Sequence, residues 1–213
     1  MRKKIYFIII FILLLIGGTY AFFNFTLYTN DRYELVDNVY IDFATGSSFN
    51  INDGFPESDE SARSAATTNR TINGVTIPVA ENEMAFYISG SNDNTSKKLK
   101  FSFLLNDGSP IANKARLKSK FLKFDLVEYI DGTNDVVLIS GMSFPSFIDT
   151  TIYTGEVDLT GTHYYKLRMW IDENVLISDT DSNADYAASA GGSKTAFSST
   201  YASIKVTCVG ELV

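Results

Sequence analysis

Short runs in which apolar and polar residues alternate constrain the fold of this chain more than any other feature. The runs are rich in β-branched and aromatic side chains and are bounded by Gly, Asn, Asp and Ser, which is typical of β-strands and turns. They predict nine strands, at residues 33–43, 75–80, 84–89, 99–105, 121–130, 136–139, 152–159, 164–171 and 201–209. Nine short strands with few helical segments predict an all-β sandwich.

The polar segments between these runs differ in length. Asp131-Gly132, within Asp131–Asn134, predicts a hairpin turn, and Asn106-Asp107-Gly108 predicts the end of another strand. Residues 44–73 and 179–200 lack apolar periodicity, and we interpret them as two long polar surface loops. No repeat or linker divides the rest, so residues 22–213 are predicted to form one domain.

The N-terminus has the pattern of an export segment. Arg2, Lys3 and Lys4 precede an uninterrupted apolar run of 12 residues, Ile5–Ile16, which is the length of a signal-peptide core. Small residues at Thr19 and Ala21 favour cleavage between Ala21 and Phe22, so residues 1–21 are interpreted as a signal peptide. The alternative is an uncleaved membrane anchor over residues 5–25. Either interpretation places the domain outside the cytoplasmic membrane.

The composition limits the classes of function. The formal net charge is −7, and removing residues 1–21, which carry three basic and no acidic residues, takes it to −10. So acidic a domain is predicted not to bind nucleic acid. The single cysteine excludes an internal disulfide framework.

The residues that catalysis usually requires are scarce, and we expect no enzyme. His163 is the one histidine and Cys208 the one thiol, so the chain supplies neither a His-based triad nor a two-His zinc site. We interpret His163 as an exposed or hydrogen-bonded structural residue. Cys208 is in phase with Ile204 and Val206, which predicts a buried, inert thiol. Trp170 and its apolar neighbours on the same strand are interpreted as core.

One acidic segment resembles a metal site. The oxygen-bearing side chains of Asp179, Asp181, Asn183 and Asp185 alternate as at the start of an EF-hand loop. Ala184 stands where that loop needs Gly, and Ala190 stands where it needs a bidentate Glu. We therefore expect no cofactor, with calcium binding as the alternative to a solvated acidic loop.

A basic patch is formed in the sequence by Lys114, Arg116, Lys118 and Lys120. On an extended strand these four side chains project from one face. They protect a sheet edge by charge, or they contact an anionic cell-wall polymer or the acidic surface of a neighbouring copy.

The first residues after the predicted cleavage point form an apolar strand. Phe23, Phe25 and Leu27 alternate with polar neighbours. This segment, residues 22–28, is either the first strand of its own sheet or a strand that completes the sheet of the next subunit.

Two segments carry a resemblance to a known family. Gly17-Gly18-Thr19-Tyr20-Ala21-Phe22-Phe23, which closes the Lys/Arg-led apolar run, resembles the export signal of the TasA/camelysin family of Gram-positive bacteria. Residues 164–172 resemble a recurring strand of such exported domains. The resemblance implies cleavage by a dedicated signal peptidase, a jelly-roll-like antiparallel β-sandwich, a location at the cell surface or in biofilm matrix, and fibres built by donation of residues 22–28. The family's metallopeptidase label is not carried over, because the chain has no His-Glu-x-x-His motif.

These observations predict an exported structural protein of the cell surface or biofilm matrix, which self-assembles through its N-terminal strand. The expected partners are further copies or another surface protein, a signal peptidase, and the membrane through the N-terminal segment. The alternative is a membrane-tethered extracellular binding or adhesion domain, in which the two long loops contact the partner.

Overall fold

The computed structural model describes residues 24–27, 31–35, 39–45, 49–52, 54, 56–91, 98–107, 112, 115–117, 119–144, 150–158, 160–174 and 200–213. Several predictions lie outside these residues. They concern the export segment with its cut at Ala21 and Phe22, Phe23 of the assembly strand, Lys114 and Lys118 of the basic patch, and the acidic segment with Asp179, Asp181, Asn183 and Asp185.

The described residues form fifteen strands, one short α-helix and one 3-10 turn. In chain order they are β1 (Asn24–Leu27), β2 (Asp31–Leu35), β3 (Val39–Thr45), β4 (Phe49–Asn52), β5 (Pro56–Glu57), α1 (Asp59–Arg63), β6 (Thr67–Ile72), β7 (Val75–Ala80), β8 (Glu83–Ser91), β9 (Lys98–Asp107), β10 (Ala115–Arg116), the 3-10 turn (Ser119–Phe121), β11 (Leu122–Tyr129), β12 (Val136–Ser143), β13 (Thr150–Asp158), β14 (Thr162–Asp172) and β15 (Thr200–Leu212).

These strands build two large sheets. The first sheet has the order β1-β15-β9-β13, and β4 and β10 also pair with β15. The second sheet has the order β12-β11-β14-β8-β3-β2, and β5 also pairs with β14. All pairs are antiparallel except the two-residue pairs β10–β15 and β5–β14. The predicted all-β antiparallel sandwich is confirmed.

The core lies between the two sheets because alternate residues of each strand face inward. Phe101 and Phe103 of β9 meet Phe86 of β8 and Tyr165 of β14, and all four side chains are at most 2% exposed. The Phe86 and Phe103 ring centroids are 4.9 Å apart in an edge-to-face contact. Each buried aromatic of this kind contributes about 1.5–3 kcal/mol through removal of its surface from water. This aromatic layer therefore contributes to the contact between the sheets, together with the aliphatic residues of the same core.

A cover formed by α1 and the β6–β7 hairpin lies on the outer face of the second sheet. Ser58 caps the N-terminus of the helix, because its Oγ accepts a hydrogen bond of 3.1 Å from the backbone N–H of Ser61. In the hairpin, the turn residues Asn73 and Gly74 both have positive φ, as a two-residue type I′ connection requires. Ile77 of β7 is fully buried, and with Val79 it packs against the outer face of the sheet.

The cover corrects the prediction of a long polar loop over residues 44–73. Apart from the residues outside the description, this range holds the end of β3, all of β4, β5 and α1, and β6. The prediction of one strand over residues 33–43 is also wrong. The chain forms two strands there, β2 and β3, which pair antiparallel with Asp31 opposite Phe43. In the sequence, Asp37 and Asn38 stand between them, and both are residue types that favour turns.

Candidate functional site

The N-terminal strand β1 lies at an edge of the first sheet. It pairs antiparallel with β15, with Asn24 opposite Glu211 and Leu27 opposite Cys208. Phe25 and Leu27 of the predicted assembly strand therefore belong to a four-residue strand whose one ladder, among the described residues, is with β15. The next strand, β2, belongs to the second sheet, so the chain crosses from one sheet to the other between residues 27 and 31.

The long strand β15 supplies the surface on which β1 lies. One side of β15 pairs with β9 from Ile204 to Leu212. Its other partners divide it: β4 pairs with residues 201–204 and β1 with residues 208–211. The place that β1 occupies is thus a short, defined stretch of a sheet edge, rather than a position in the centre of a sheet.

A network of charges, here called the clasp, fastens the cover to the second sheet. It consists of the buried carboxylates Asp125 and Glu83 and the cations Arg63 and Arg168. Its centre is Asp125 of β11, which is 4% exposed. Asp125 accepts two hydrogen bonds from Arg63 of α1, from Nε at 2.8 Å and from Nη2 at 3.0 Å, and a third of 2.7 Å from the backbone N–H of Gly141. This contact with Asp125 raises the pKa of Arg63 above its usual value. The ion pair joins residues 62 positions apart in the chain.

The clasp continues along β14 to a second buried acid. Arg168 donates a short hydrogen bond to Glu83, and its Nη1 lies 3.9 Å from Oδ2 of Asp125. The other carboxylate oxygen of Glu83 accepts a bond of 2.8 Å from the backbone N–H of Ala80, at the end of β7. Each of the two buried carboxylates thus has both a cation and a backbone donor, which offsets the cost of removing its charge from water.

Lys123 and Trp170 complete the contacts beneath α1. Nζ of Lys123 lies 3.1 Å from Asp59 and 3.5 Å from Asp172, and the hydrogen bond with Asp59 raises the pKa of Lys123. Trp170 is 1% exposed, with the Arg63 guanidinium 5.8 Å from its ring centroid. Trp170 is therefore buried as predicted, but under the cover and on the opposite face of β14 from Met169 in the main core.

The described members of the basic patch do not share one strand. Arg116 lies in β10, and its guanidinium is 5.7 Å from the ring centroid of Tyr201. Lys120 lies in the 3-10 turn, with Nζ 5.0 Å from the ring of Phe121. An extended strand through both residues is therefore not what forms, because β10 covers only Ala115–Arg116 and Ser119–Phe121 is a 3-10 turn.

The histidine and the thiol both have structural surroundings. Nδ1 of His163 is 3.1 Å from Glu128 Oε1, and Nε2 is 3.3 Å from the backbone oxygen of Asp158. The prediction of a hydrogen-bonded histidine fits this contact. Cys208 is fully buried, and burial raises the pKa of its thiol. The predicted buried thiol is confirmed.

Sequence reasoning missed the clasp, because its members are single charges scattered over four segments of the chain. Within the described ranges, no three His, Cys, Asp or Glu side chains are grouped as a metal site. No helix of these ranges has both the length and the apolar character needed to cross a membrane.

Comparison with known proteins found no similar protein. No protein-family model matches it, and neither a curated protein nor a solved structure matches it significantly.

Proposed function

We propose that this chain is an exported structural protein of the cell surface or biofilm matrix, whose copies assemble by donating the N-terminal strand. The observation that supports the proposal best is the position of β1: it is short, it lies at a sheet edge, and it follows directly in the chain the segment with the pattern of an export signal.

The energetics of β1 favour exchange between copies. Its ladder with β15 spans four residue pairs, and each ladder hydrogen bond contributes about 0.5–1.5 kcal/mol net. A strand held by so few bonds leaves its own sheet at modest cost, and it regains the same bonds on the β15 edge of a neighbour. Exchange of an identical element is a low-cost route to assembly, and a head-to-tail exchange that does not close into a ring yields a filament.

The connection after β1 suits such an exchange. Because β2 belongs to the second sheet, β1 is no part of a hairpin, and its removal breaks no ladder other than the one with β15 among the described residues. Donation to a neighbour thus leaves the second sheet and its cover unchanged.

Deletion of residues 22–28 tests the proposal. The full chain should polymerise, whereas the deletion variant should keep its fold and form no species of high mass, as measured by sedimentation velocity and electron microscopy. Replacement of the same seven residues by a Gly/Ser sequence is the matched control for chain length, and it should also fail to polymerise. Buried Trp170 reports the fold through its fluorescence. Polymers of unchanged size from the deletion variant would sink the proposal.

The export step has its own test, by intact mass and N-terminal sequencing of the protein from culture supernatant and from washed membranes. A soluble species that begins at Phe22 supports a released matrix protein. A full-length species confined to membranes favours instead the tethered binding domain, with residues 5–25 as its anchor.

A further inference from the structure

Strand β12 is an exposed apolar edge of the second sheet. It pairs with β11, and the order of the sheet places it at the end. Val136, Val137 and Met142 of this strand are 44%, 61% and 51% exposed, and Ile130 at the preceding turn is 56% exposed. Among the described residues, these are four of the six large apolar side chains that face solvent. The exposed apolar surface is therefore concentrated on one hairpin.

Two other outer strands, β2 and β13, carry charges that β12 lacks. The opposite edge of the second sheet, β2, has the sequence Asp-Arg-Tyr-Glu-Leu. The outer strand β13 of the first sheet carries Glu156 and Asp158, and Glu156 pairs with Lys98 at 3.0 Å. In contrast, β12 reads Val-Val-Leu-Ile-Ser-Gly-Met-Ser, without a charge or a proline. Charged residues and proline are the usual means by which proteins block pairing at a free edge.

The clasp holds β12 in place for pairing. Ser140 Oγ accepts a hydrogen bond of 2.9 Å from Arg63, and the backbone N–H of Gly141 donates to Asp125. Leu138 and Ile139 pack against the main core. The edge is thus an ordered strand in the monomer, so little conformational entropy is lost when a partner strand binds.

We propose that two copies of this chain associate through β12, in an antiparallel pair around a two-fold axis near Val137. Two irregularities in the β11–β12 ladder lie after Val137, and Val136 and Val137 pair regularly with Glu128 and Val127. A two-fold axis at Val137 sets this side chain against its own copy and Val136 against Leu138. An isologous contact of this kind uses the same patch on both subunits.

A second copy is the occupant that the charges favour. The chain has a formal net charge of −7, so two copies repel each other wherever acidic surfaces meet. An edge without charged residues is where this repulsion is weakest. Each copy also supplies what the edge of the other needs, an extended uncharged strand at the end of a sheet. The nearest acid, Asp135, is already paired with Lys166 at 3.3 Å.

This contact is distinct from strand donation, since β1 and β12 lie in different sheets. The variant that lacks residues 22–28 should therefore still form dimers through β12. If this variant still forms dimers, the β12 proposal holds even where strand donation fails. If it forms none, the β12 proposal fails whatever the outcome for strand donation.

Cysteine crosslinking of the full chain, purified in mild detergent, tests the β12 contact. Directly opposite residues in an antiparallel pair have Cβ atoms about 4.5–5.5 Å apart, so Val137→Cys should form a covalent dimer on mild oxidation. Val75→Cys is the matched control, because Val75 is also exposed and lies on the β6–β7 hairpin. The one native thiol is fully buried and gives no background. Crosslinking of V137C should exceed that of V75C at least ten-fold.

A charge substitution gives a second readout. Val137→Lys places two ammonium groups opposite each other and should raise the dimer Kd at least ten-fold in sedimentation equilibrium, whereas Val75→Lys should leave it unchanged. Equal crosslinking of V137C and V75C would overturn the proposal. So would a variant that lacks residues 22–28, keeps β12 intact and stays monomeric at the highest concentrations measured.

Discussion

Removal of Asp125 should destabilise the protein much more than removal of Arg63, although both belong to the same ion pair. The two side chains differ in exposure, 5% for Asp125 and 39% for Arg63. Asp125→Ala leaves Gly141 without an acceptor for its N–H and removes a carboxylate beside Arg168. Arg63→Ala leaves Asp125 with both of these neighbours.

The magnitudes follow from this asymmetry. Breaking a buried pair by removing one partner costs about 3–5 kcal/mol, and since water reaches Arg63 we take the low end, about 3 kcal/mol, for Asp125→Ala. Loss of the half-exposed Arg63 should cost about 1 kcal/mol, because Asp125 retains a charged neighbour and a backbone donor.

Urea denaturation followed by Trp170 fluorescence measures both changes. With a slope of about 2 kcal/mol per M urea, the midpoint should fall by about 1.5 M for Asp125→Ala and by about 0.5 M for Arg63→Ala. Asp125→Asn, which keeps one acceptor oxygen, should lie between them. Equal effects of the two alanine substitutions, or a larger effect of Arg63→Ala, would refute the conclusion that Asp125 is the centre of the clasp.

Two further predictions concern the interior. Gly141 has a φ of +60°, and a Cβ there meets Asp59 Oδ2 at 3.1 Å, so Gly141→Ala should cost about 1–2 kcal/mol, whereas Gly161→Ala, which meets nothing within 4 Å, should change the urea midpoint little. Burial raises the pKa of Cys208 above its ordinary value of 9.0. The thiol therefore contributes its full share to the free energy of unfolding below pH 9. Above pH 9 this contribution falls by about 1.4 kcal/mol per pH unit. Cys208→Ala should flatten the fall in unfolding free energy between pH 9 and 10, before Tyr165 contributes, and an unchanged fall would exclude this cause.

Strands with a strong local pattern were predictable from the sequence. The strand at 75–80 was predicted with both ends correct, and those at 99–105 and 164–171 are extended by one to two residues at each end. Every second residue of these strands faces a core, so burial produces an alternation of apolar and polar residues that can be recognised in the sequence. The Asp131-Gly132 hairpin was predictable because the turn requires positive φ, and Gly132 has a φ of +85°.

The cover was not predictable in the same way. Helix α1 has five residues, which is too short to be stable alone, and it depends on contacts with distant strands. In β6, all residues except Ile72 are exposed, so the strand shows no alternation. The one local signal was Asn73-Gly74, a strong hairpin turn.

The candidate site was predicted only in part. The apolar residues Phe25 and Leu27 alternate with polar neighbours, which predicted a strand, and the backbone of Asn24–Leu27 forms one. Its partner β15 lies almost the whole chain away, and no local pattern specifies such a pairing. The clasp was missed for the same reason, since Arg63 and Asp125 are separated by 62 positions.

Crosslinking between different copies tests strand donation most directly. Thr26 of β1 lies opposite Val209 of β15, so we would co-express two chains of different size, one with T26C and one with V209C, both with Cys208→Ala. Strand donation predicts a covalent heterodimer after mild oxidation, at a higher yield than when the second chain carries V75C, on the β6–β7 hairpin, in place of V209C. If no heterodimer forms, while a single chain with both substitutions closes its own disulfide, β1 stays within its own subunit and the proposed assembly is contradicted.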